Sequence, residues 1–270
     1  MATRRARSGF TLIELLVVIS IIALLIGILL PTLGTARRSA QSVVALAKLR
    51  DLGSAAAAYA GEHREQLAIT SHSRRIDIVN GRSDWVDGQS WFHAYWPYFS
   101  AGGGGVFDPF DMPTDRAWAE VVNTHYRSPL DPSEPVEVGE FRPDLTPRLS
   151  FGQNVYYELS PGELVPGKPV DRTKRPFRRV YAVPSPAMTL LYASLGADES
   201  GELDGAALTS DHHMAHFWKN SDDMEPDRLA LGRHGAGEGY VFLDGHVRVM
   251  RYEDTLDADR RVDLWDPEGF

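Results

Sequence analysis

The sequence predicts an α+β fold in which one long N-terminal helix packs its second half on an antiparallel β-sheet head. Three observations support this prediction. They are an apolar run over residues 10–30, an amphipathic pattern over 31–66, and strand-like segments joined by turns within 67–270. A helix and a sheet each bury an apolar face by packing on the other, so this order of elements predicts one layer of each. We therefore expect a membrane-spanning helix half, an amphipathic helix half and a globular head.

The run over 10–30 has the length and composition of a transmembrane helix. It contains one formal charge, Glu14, and a helix of about 20 apolar residues crosses the hydrocarbon core of a bilayer. Three arginines precede the run, which favours a cytoplasmic N-terminus. The run is too long for the apolar core of a secretory signal peptide, and the predicted cleavage point lies before it, between Gly9 and Phe10.

The segment Arg-Ser-Gly-Phe-Thr-Leu-Ile-Glu at residues 7–14 resembles the leader junction of type IV prepilins and type II secretion pseudopilins. The resemblance implies a leader over residues 1–9, cleavage after Gly9 by a prepilin peptidase, and N-methylation of Phe10 by the same enzyme. It also implies that Glu14 is the acidic assembly residue characteristic of these proteins and that Pro31 is their proline within the helix.

The position of Glu14 agrees with that resemblance. A carboxylate inside a membrane helix costs about 2.5–3.5 kcal/mol on insertion scales, so it usually has a partner. Glu14 lies four residues after Phe10 and therefore on the same helix face. Cleavage would give Phe10 an ammonium that neutralises Glu14, either in the same subunit or in a neighbouring one. The alternative is a simple membrane anchor in which Glu14 reaches the interface.

An amphipathic stripe follows the anchor. Pro31 should kink the helix, which we expect to continue to about Glu65. Apolar residues recur at spacings of three and four, as expected for one helix face. They are Ala45, Leu49, Leu52, Ala56 and Tyr59. A coiled-coil seam is the alternative, but the small residues and Gly53 favour packing on a sheet.

Composition narrows the function classes. The net charge is −9, and loss of the three leader arginines would make it −12, so the sequence gives no indication of nucleic acid or anionic lipid as a partner. The chain has no cysteine, so the exported part cannot form a disulfide. Its fold must be stabilised by an apolar core or by a metal.

The C-terminal part contains a predicted hairpin. Asp244-Gly245 lies between alternating segments, and both residues should take positive φ in a type I′ turn. Tyr240 and Phe242 should then face one side of the sheet, and Val241 and Leu243 the other.

Three segments of the head resemble motifs of one expanded pilin-like family. His234, nine further residues and then Asp244-Gly245 match its His-x9-Asp-Gly signature. The loop over 129–135 resembles its Cys-Pro-Ser-Asp-Pro loop, with Ser128 where a cysteine often occurs, and 150–154 resembles its Ser-Tyr-Gly-x-Asn segment. We expect His234 to bond the hairpin backbone, since no nucleophile motif supports a hydrolase.

Aromatic residues cluster between Trp85 and Phe99, and we expect them to be core rather than a stacking surface for sugars or nucleobases. Helical turns are predicted at Ser90–Tyr98 and Trp118–Val122. Strands are predicted at Leu149–Glu158, Arg179–Val183 and Met188–Ser194.

Two groups of residues have the composition of metal ligands. Asp198, Glu202 and Asp204 lie in an acidic segment that is either a solvated loop or a calcium site, although its spacing does not match an EF-hand. His212 and His216 would share a face on a helix and chelate a transition metal, whereas on a strand they would not. We expect no other cofactor.

These observations predict a structural subunit, a pseudopilin or minor pilin-like protein of a type II secretion or type IV pilus-like filament. The resemblance implies assembly from the inner membrane with other pilin subunits, with the N-terminus in the cytoplasm and the head in the periplasm. No catalytic arrangement is evident in the sequence, so we expect no enzymatic activity. The alternative is a membrane-tethered protein that binds a carbohydrate or metal and uses the leader only for export and anchoring.

Overall fold

The computed structural model describes nine stretches of the chain, with Tyr181, His212, His213 and Asp257 described by their backbone alone. The stretches are 12–68, 91–99, 119–133, 135, 149–154, 179–196, 212–213, 229–257 and 262–265. The predicted leader over 1–9 lies outside them. The chain divides into two compact units, Met1–Gln41 and Ser42–Phe270.

A single α-helix, α1, runs from Leu12 to Glu62 and includes Pro31 without interruption. The Thr32 hydroxyl donates to the Leu29 carbonyl at 2.8 Å, so side-chain bonds supplement the backbone ladder where proline lacks a donor. The helix ends before the predicted Glu65 because Arg64 and Glu65 have positive φ, 55° and 61°. This left-handed turn lets the Glu65 amide donate to the Ala60 carbonyl at 2.7 Å and closes the helix end.

The first unit consists, in its described part, of the N-terminal portion of α1. Every residue over 12–40 is exposed, including the large leucine, isoleucine and valine side chains. The described residues of this unit therefore leave its apolar surface uncovered.

The second unit is built on a five-stranded sheet. Its strands are β1 (Phe151–Asn154), β2 (Leu190–Ser194), β3 (His212–His213), β4 (Glu238–Phe242) and β5 (Val247–Met250). The order is β3-β1-β2-β4-β5, and all neighbours are antiparallel except β1 and β3, which are parallel. A separate antiparallel pair joins β6 (Leu256–Asp257) to β7 (Val262–Asp263). The predicted α+β architecture, a long helix with an antiparallel sheet, is confirmed, with β3 as a parallel addition.

Each face of the sheet has its own apolar core. On one face, Leu49 and Leu52 of α1 belong to the same buried cluster as Val241 and Leu243. On the other face, Tyr240 and Phe242 lie in a second cluster. That cluster also contains Leu190, Ala193, Leu229, Tyr252, Leu264 and Trp265. The predicted alternation along β4 is confirmed, and so is the packing of the α1 stripe on a sheet.

The described aromatic residues form core, as predicted. Trp91, Phe92 and Tyr95 are buried, and α2 (Trp91–Ala94) leads into a 3₁₀ turn at Trp96–Tyr98. The neighbouring Trp96, Tyr98 and Phe99 pack against this core while partly exposed.

The predicted helix near residue 120 continues further than expected. Residues 119–121 are helical and lead into a π-helix at Val122–Tyr126. The Tyr126 hydroxyl donates to the Phe92 carbonyl at 2.7 Å, so this helix end is fixed against α2.

The strand predicted at Arg179–Val183 is wrong. Arg179 forms only an isolated bridge with Gln66, and Val180–Ala182 is a 3₁₀ turn. Pro186 opens a second 3₁₀ turn, so β2 begins only at Leu190. Pro184 and Pro186 supply no ladder donor and fix φ, which explains why the chain turns after Val183 and before β2 begins.

The β4–β5 hairpin is confirmed, but its predicted turn type is wrong. Of the two turn residues, only Gly245 has a positive φ, 87°. The Gly245 amide donates to the Phe242 carbonyl at 2.9 Å, and the Phe242 amide donates to the His246 carbonyl at 3.0 Å. These bonds define a three-residue loop with a left-handed glycine, the next commonest hairpin connection after the two-residue turn.

Candidate functional site

The exposed apolar surface over 12–36 is the first candidate site. Its large side chains are open to solvent, from Leu12 at 86% exposed to Leu30 at 65%. Within the described part of the chain, α1 is long and apolar enough to cross a membrane, judged by length and composition. This surface can be buried in a bilayer or against other apolar helices.

Glu14 lies in the first turn of α1 and is the only charged residue over 12–36. A carboxylate near a helix N-terminus interacts favourably with the helix dipole. Gly9 and Phe10 lie outside the described residues, so the predicted cleavage, the methylation and the ammonium at Phe10 stay predictions. Pro31 lies within α1, as predicted, but the assembly role that the resemblance implies for it is untested.

The signature histidine contacts α1 rather than the hairpin. His234 Nδ1 lies 2.7 Å from the Ser42 hydroxyl, and only its backbone amide bonds locally, to the Gly237 carbonyl at 3.0 Å. Gly239 permits this approach, because a Cβ there would lie 3.0 Å from His234 Nε2 and 2.8 Å from Leu49 Cδ1. The bond from His234 to the backbone beside the hairpin is thus made by its amide, at the residue before β4, while its side chain bonds α1.

Burial lowers the pKa of His234 to about 4, and the charge of neighbouring Arg233 acts in the same direction. The imidazole is therefore neutral at neutral pH. A neutral ring can form one hydrogen bond with the Ser42 hydroxyl without burying a charge.

The other end of the signature also contacts α1. A Cβ on Gly53 would lie 2.8 Å from Val241 Cγ1 and 3.6 Å from Gly245 Cα, so the helix and the turn approach at two glycines. Ser42 and Gly53 are about 16 Å apart along the helix. The nine-residue spacing in the signature thus lets β4 run beneath α1 while both of its ends meet the helix.

A buried polar network joins three further segments of the head. The Asp131 carboxylate accepts bonds from the Ser133 amide at 3.0 Å, the Ser133 hydroxyl at 2.6 Å and the Ser150 hydroxyl. Arg233 Nη1 lies 3.9 Å away, and both of these charged side chains are 8% exposed. Asp131 therefore links the loop over 129–135, the start of β1 and the residue before His234.

Burial alone would raise the pKa of Asp131. The hydrogen bonds from Ser133 and Ser150 and the charge of Arg233 outweigh it and hold that pKa below its usual value. Arg127 belongs to the same network, because its Nη2 lies 4.0 Å from Asp131 Oδ1, and Lys48 of α1 donates to the Arg127 carbonyl at 2.7 Å. Sequence reasoning missed this site because its members lie in four separate segments; the only signal was that three of them resemble motifs of one family.

The predicted metal ligands are not brought together by the described part of the structure. Asp198, Glu202, Asp204 and His216 lie outside it. His212 begins the strand β3, so the helical arrangement that would pair it with His216 is not present at that residue. Among the described side chains, no group of three or more His, Cys, Asp or Glu residues is placed to hold a metal.

Comparison with known proteins identifies the N-terminal segment. A family model described as the prokaryotic N-terminal methylation motif matches residues 4–30. Over 47 residues the chain is 53% identical to the type IV wide pilus major component PilA4 of Thermus thermophilus. That similarity covers 17% of this chain and 36% of the pilin, so the chain spans about a third of the length of that relative. No solved structure matches the chain.

Proposed function

We propose that the chain is a structural subunit, pseudopilin or minor pilin-like, of a type II secretion or type IV pilus-like filament assembled from the inner membrane. The observation that carries this proposal is the continuity of two features. The methylation motif at 4–30 runs into a helix whose apolar side chains are exposed over 12–40.

An exposed apolar helix is unstable in water, since each Å² of apolar surface costs about 25 cal/mol. A bilayer covers it first, and neighbouring helices cover it after assembly. Glu14 then supplies the specific contact. Its carboxylate pairs with the N-terminal ammonium of Phe10 in a neighbouring subunit, because opposite charges in an apolar setting attract strongly.

The described head supports a structural rather than an enzymatic role. Ser42 and His234 form the nearest approach to a nucleophile–base pair, yet His234 Nε2 is buried without a hydrogen-bond partner. Among the residues that the structure describes, no carboxylate orients that ring as a catalytic triad requires. The contacts of His234, Gly245 and Asp131 instead fix the sheet and its loops to the second half of α1.

The proposal includes an orientation and two kinds of partner. The leader arginines favour a cytoplasmic N-terminus and therefore an extracytoplasmic head. A prepilin peptidase with methyltransferase activity processes the chain, and other pilin-like subunits assemble with it.

The test is to express the chain with a prepilin peptidase and filament machinery and to analyse sheared filaments. We expect a mature N-terminus at methylated Phe10, and we expect Gly9→Val to block cutting because the cleavage site tolerates little side chain. Gly34→Val is the matched control, since a Cβ at Gly34 meets no atom within 4 Å. A chain that keeps Met1 or Ala2 and stays out of the filaments would favour the tethered binding protein.

A further inference from the structure

A cleft of about 460 Å³ lies between α1 and the β4–β5 turn, and the proposed filament function does not use it. It is lined by Arg50, Asp244, Gly245, His246 and Val247. Two cationic or potentially cationic side chains, Arg50 and His246, therefore share one concave surface with a single carboxylate.

The His246 ring is held by two contacts. Its Nδ1 lies 2.6 Å from Asp244 Oδ1, and the ring stacks on Phe242 with centroids 4.1 Å apart and planes 8° apart. The side chain is 37% exposed, and Nε2 has no hydrogen bond to a described residue. Asp244 thus orients the imidazole and leaves Nε2 available to a ligand.

Arg50 is the second donor. It is exposed on α1 and forms no ion pair with any residue that the structure describes. One turn further along α1, Gly53 approaches Gly245 closely, which fixes this part of the helix against the turn. Asp244 Oδ1 accepts a bond from the His246 amide at 3.1 Å and lies 2.6 Å from the ring Nδ1. The cleft therefore has donors for one more anion.

We propose that this cleft binds a carboxylate. The Arg50 guanidinium offers two parallel N–H donors that match the two oxygens of a carboxylate, and the His246 ring lines the same cleft. The carboxylate comes either from a small free acid or from an Asp or Glu side chain of a second copy of this chain, whose net charge is −9.

The first test uses the full-length chain in detergent micelles with isotope-labelled histidine and succinate as the probe at constant ionic strength. We expect a saturable shift of the His246 ring signal, which His246→Gln assigns. Arg50→Gln should weaken binding at least about tenfold, because the charge-assisted bonds of the guanidinium to the carboxylate are lost. Arg38→Gln is the matched control, since this exposed arginine lies on the same helix but does not line the cleft.

The second test separates the two sources of the carboxylate by chemical cross-linking of copies in the same micelles. If Arg50→Gln abolishes the cross-linking and succinate competes with it, the bound carboxylate is a side chain of a neighbouring copy. Succinate binding with unchanged cross-linking assigns a free acid. The proposal is overturned if the His246 signal does not saturate and cross-linking ignores Arg50→Gln, or if Arg38→Gln has the same effect as Arg50→Gln. Neither test requires that filaments form.

Discussion

The two parts of α1 contain similar apolar residues in opposite environments. Leu30, in the first unit, is 65% exposed, whereas Leu49 and Leu52, in the second, are fully buried. The pattern differs as well as the environment. Apolar residues and one glycine fill every position over 12–30 except Glu14 and Ser20, whereas after Ser42 apolar residues recur every three or four positions. A stripe can be covered by one sheet, whereas a helix that is apolar on all sides needs a surrounding that its own head does not supply.

The charged residues of the two parts of α1 also differ in their surroundings. Lys48, in the second part, bonds two carbonyls at the end of the π-helix, those of Asn123 and Arg127, within the same chain. Glu14, in the first part, is the only charged residue over 12–36. The second part is therefore specified by contacts within the head, and the first by the bilayer and by the neighbours that we propose.

Replacing Glu14 should give the largest effect and should affect the first part alone. Glu14→Leu should still insert and still be cut after Gly9, since the desolvation cost of the carboxylate disappears. It should fail to enter filaments, because the Phe10 ammonium of the neighbour would remain in an apolar core without its partner, at a cost of about 3–5 kcal/mol. Membrane fractionation and analysis of sheared filaments measure both expectations.

The melting temperature of the Glu14→Leu head should equal that of the unchanged chain, because Glu14 belongs to the first unit and the head to the second. Normal assembly of Glu14→Leu would contradict the pairing mechanism. That result would favour a membrane-tethered protein in which this helix is a simple anchor.

Replacing Asp131 should act on the second part alone. Asp131→Asn removes the carboxylate that faces the buried Arg233 and should destabilise the head by about 3 kcal/mol or more. Asp254→Asn is the matched control, because its pair with Arg251 is exposed to solvent and should contribute little to stability. Thermal unfolding of the full chain in micelles gives both values, and equal losses would contradict a special role for Asp131.

The same pair of variants has a pH test. The pKa of Asp131 is depressed in the folded head, so its stabilisation is complete above its unfolded value of about 3.9. That stabilisation is lost as the pH falls through the lower folded value. Unfolding of Asp131→Asn should therefore depend less steeply on pH in this range than unfolding of the unchanged chain.

The sequence predicts the features that depend on a local residue pattern, and it does not predict those that depend on contacts between residues far apart in the chain. The local residue pattern predicts the apolar run over 10–30, the Leu49–Leu52 stripe and the alternation along β4. The partner of His234 could not be predicted, since Ser42 lies 192 positions away and no spacing relates them. The type I′ turn was wrong because Asp-Gly fits both two-residue and three-residue loops, and the wider pairing of β4 with β5 decides between them.

A smaller effect is expected at the turn that meets the second part of α1. Gly245→Val should destabilise the head by more than about 1 kcal/mol, because a β-branched residue is disfavoured at a φ of 87°. Gly61→Val is the control: Gly61 lies in α1 without a positive φ, and an added Cβ there meets nothing within 4 Å. A melting temperature equal to that of the control would contradict the left-handed glycine.

The smallest effect should come from Ser42, the first residue of the second unit. Ser42→Ala removes the hydroxyl that bonds His234 Nδ1 and should cost about 1 kcal/mol, because a partly buried ring nitrogen loses its partner. Ser54→Ala removes a hydroxyl that bonds only the Arg50 carbonyl of its own exposed helix turn at 3.0 Å, so it should change stability by less than about 0.5 kcal/mol. Thermal unfolding compares the two alanine variants at equal helix propensity. A larger loss for Ser42→Ala would show that the head holds α1 from its first buried turn onward. Equal losses would mean that the contact through His234 contributes nothing to stability and that the stripe over Ala45–Leu52 fixes the helix without it.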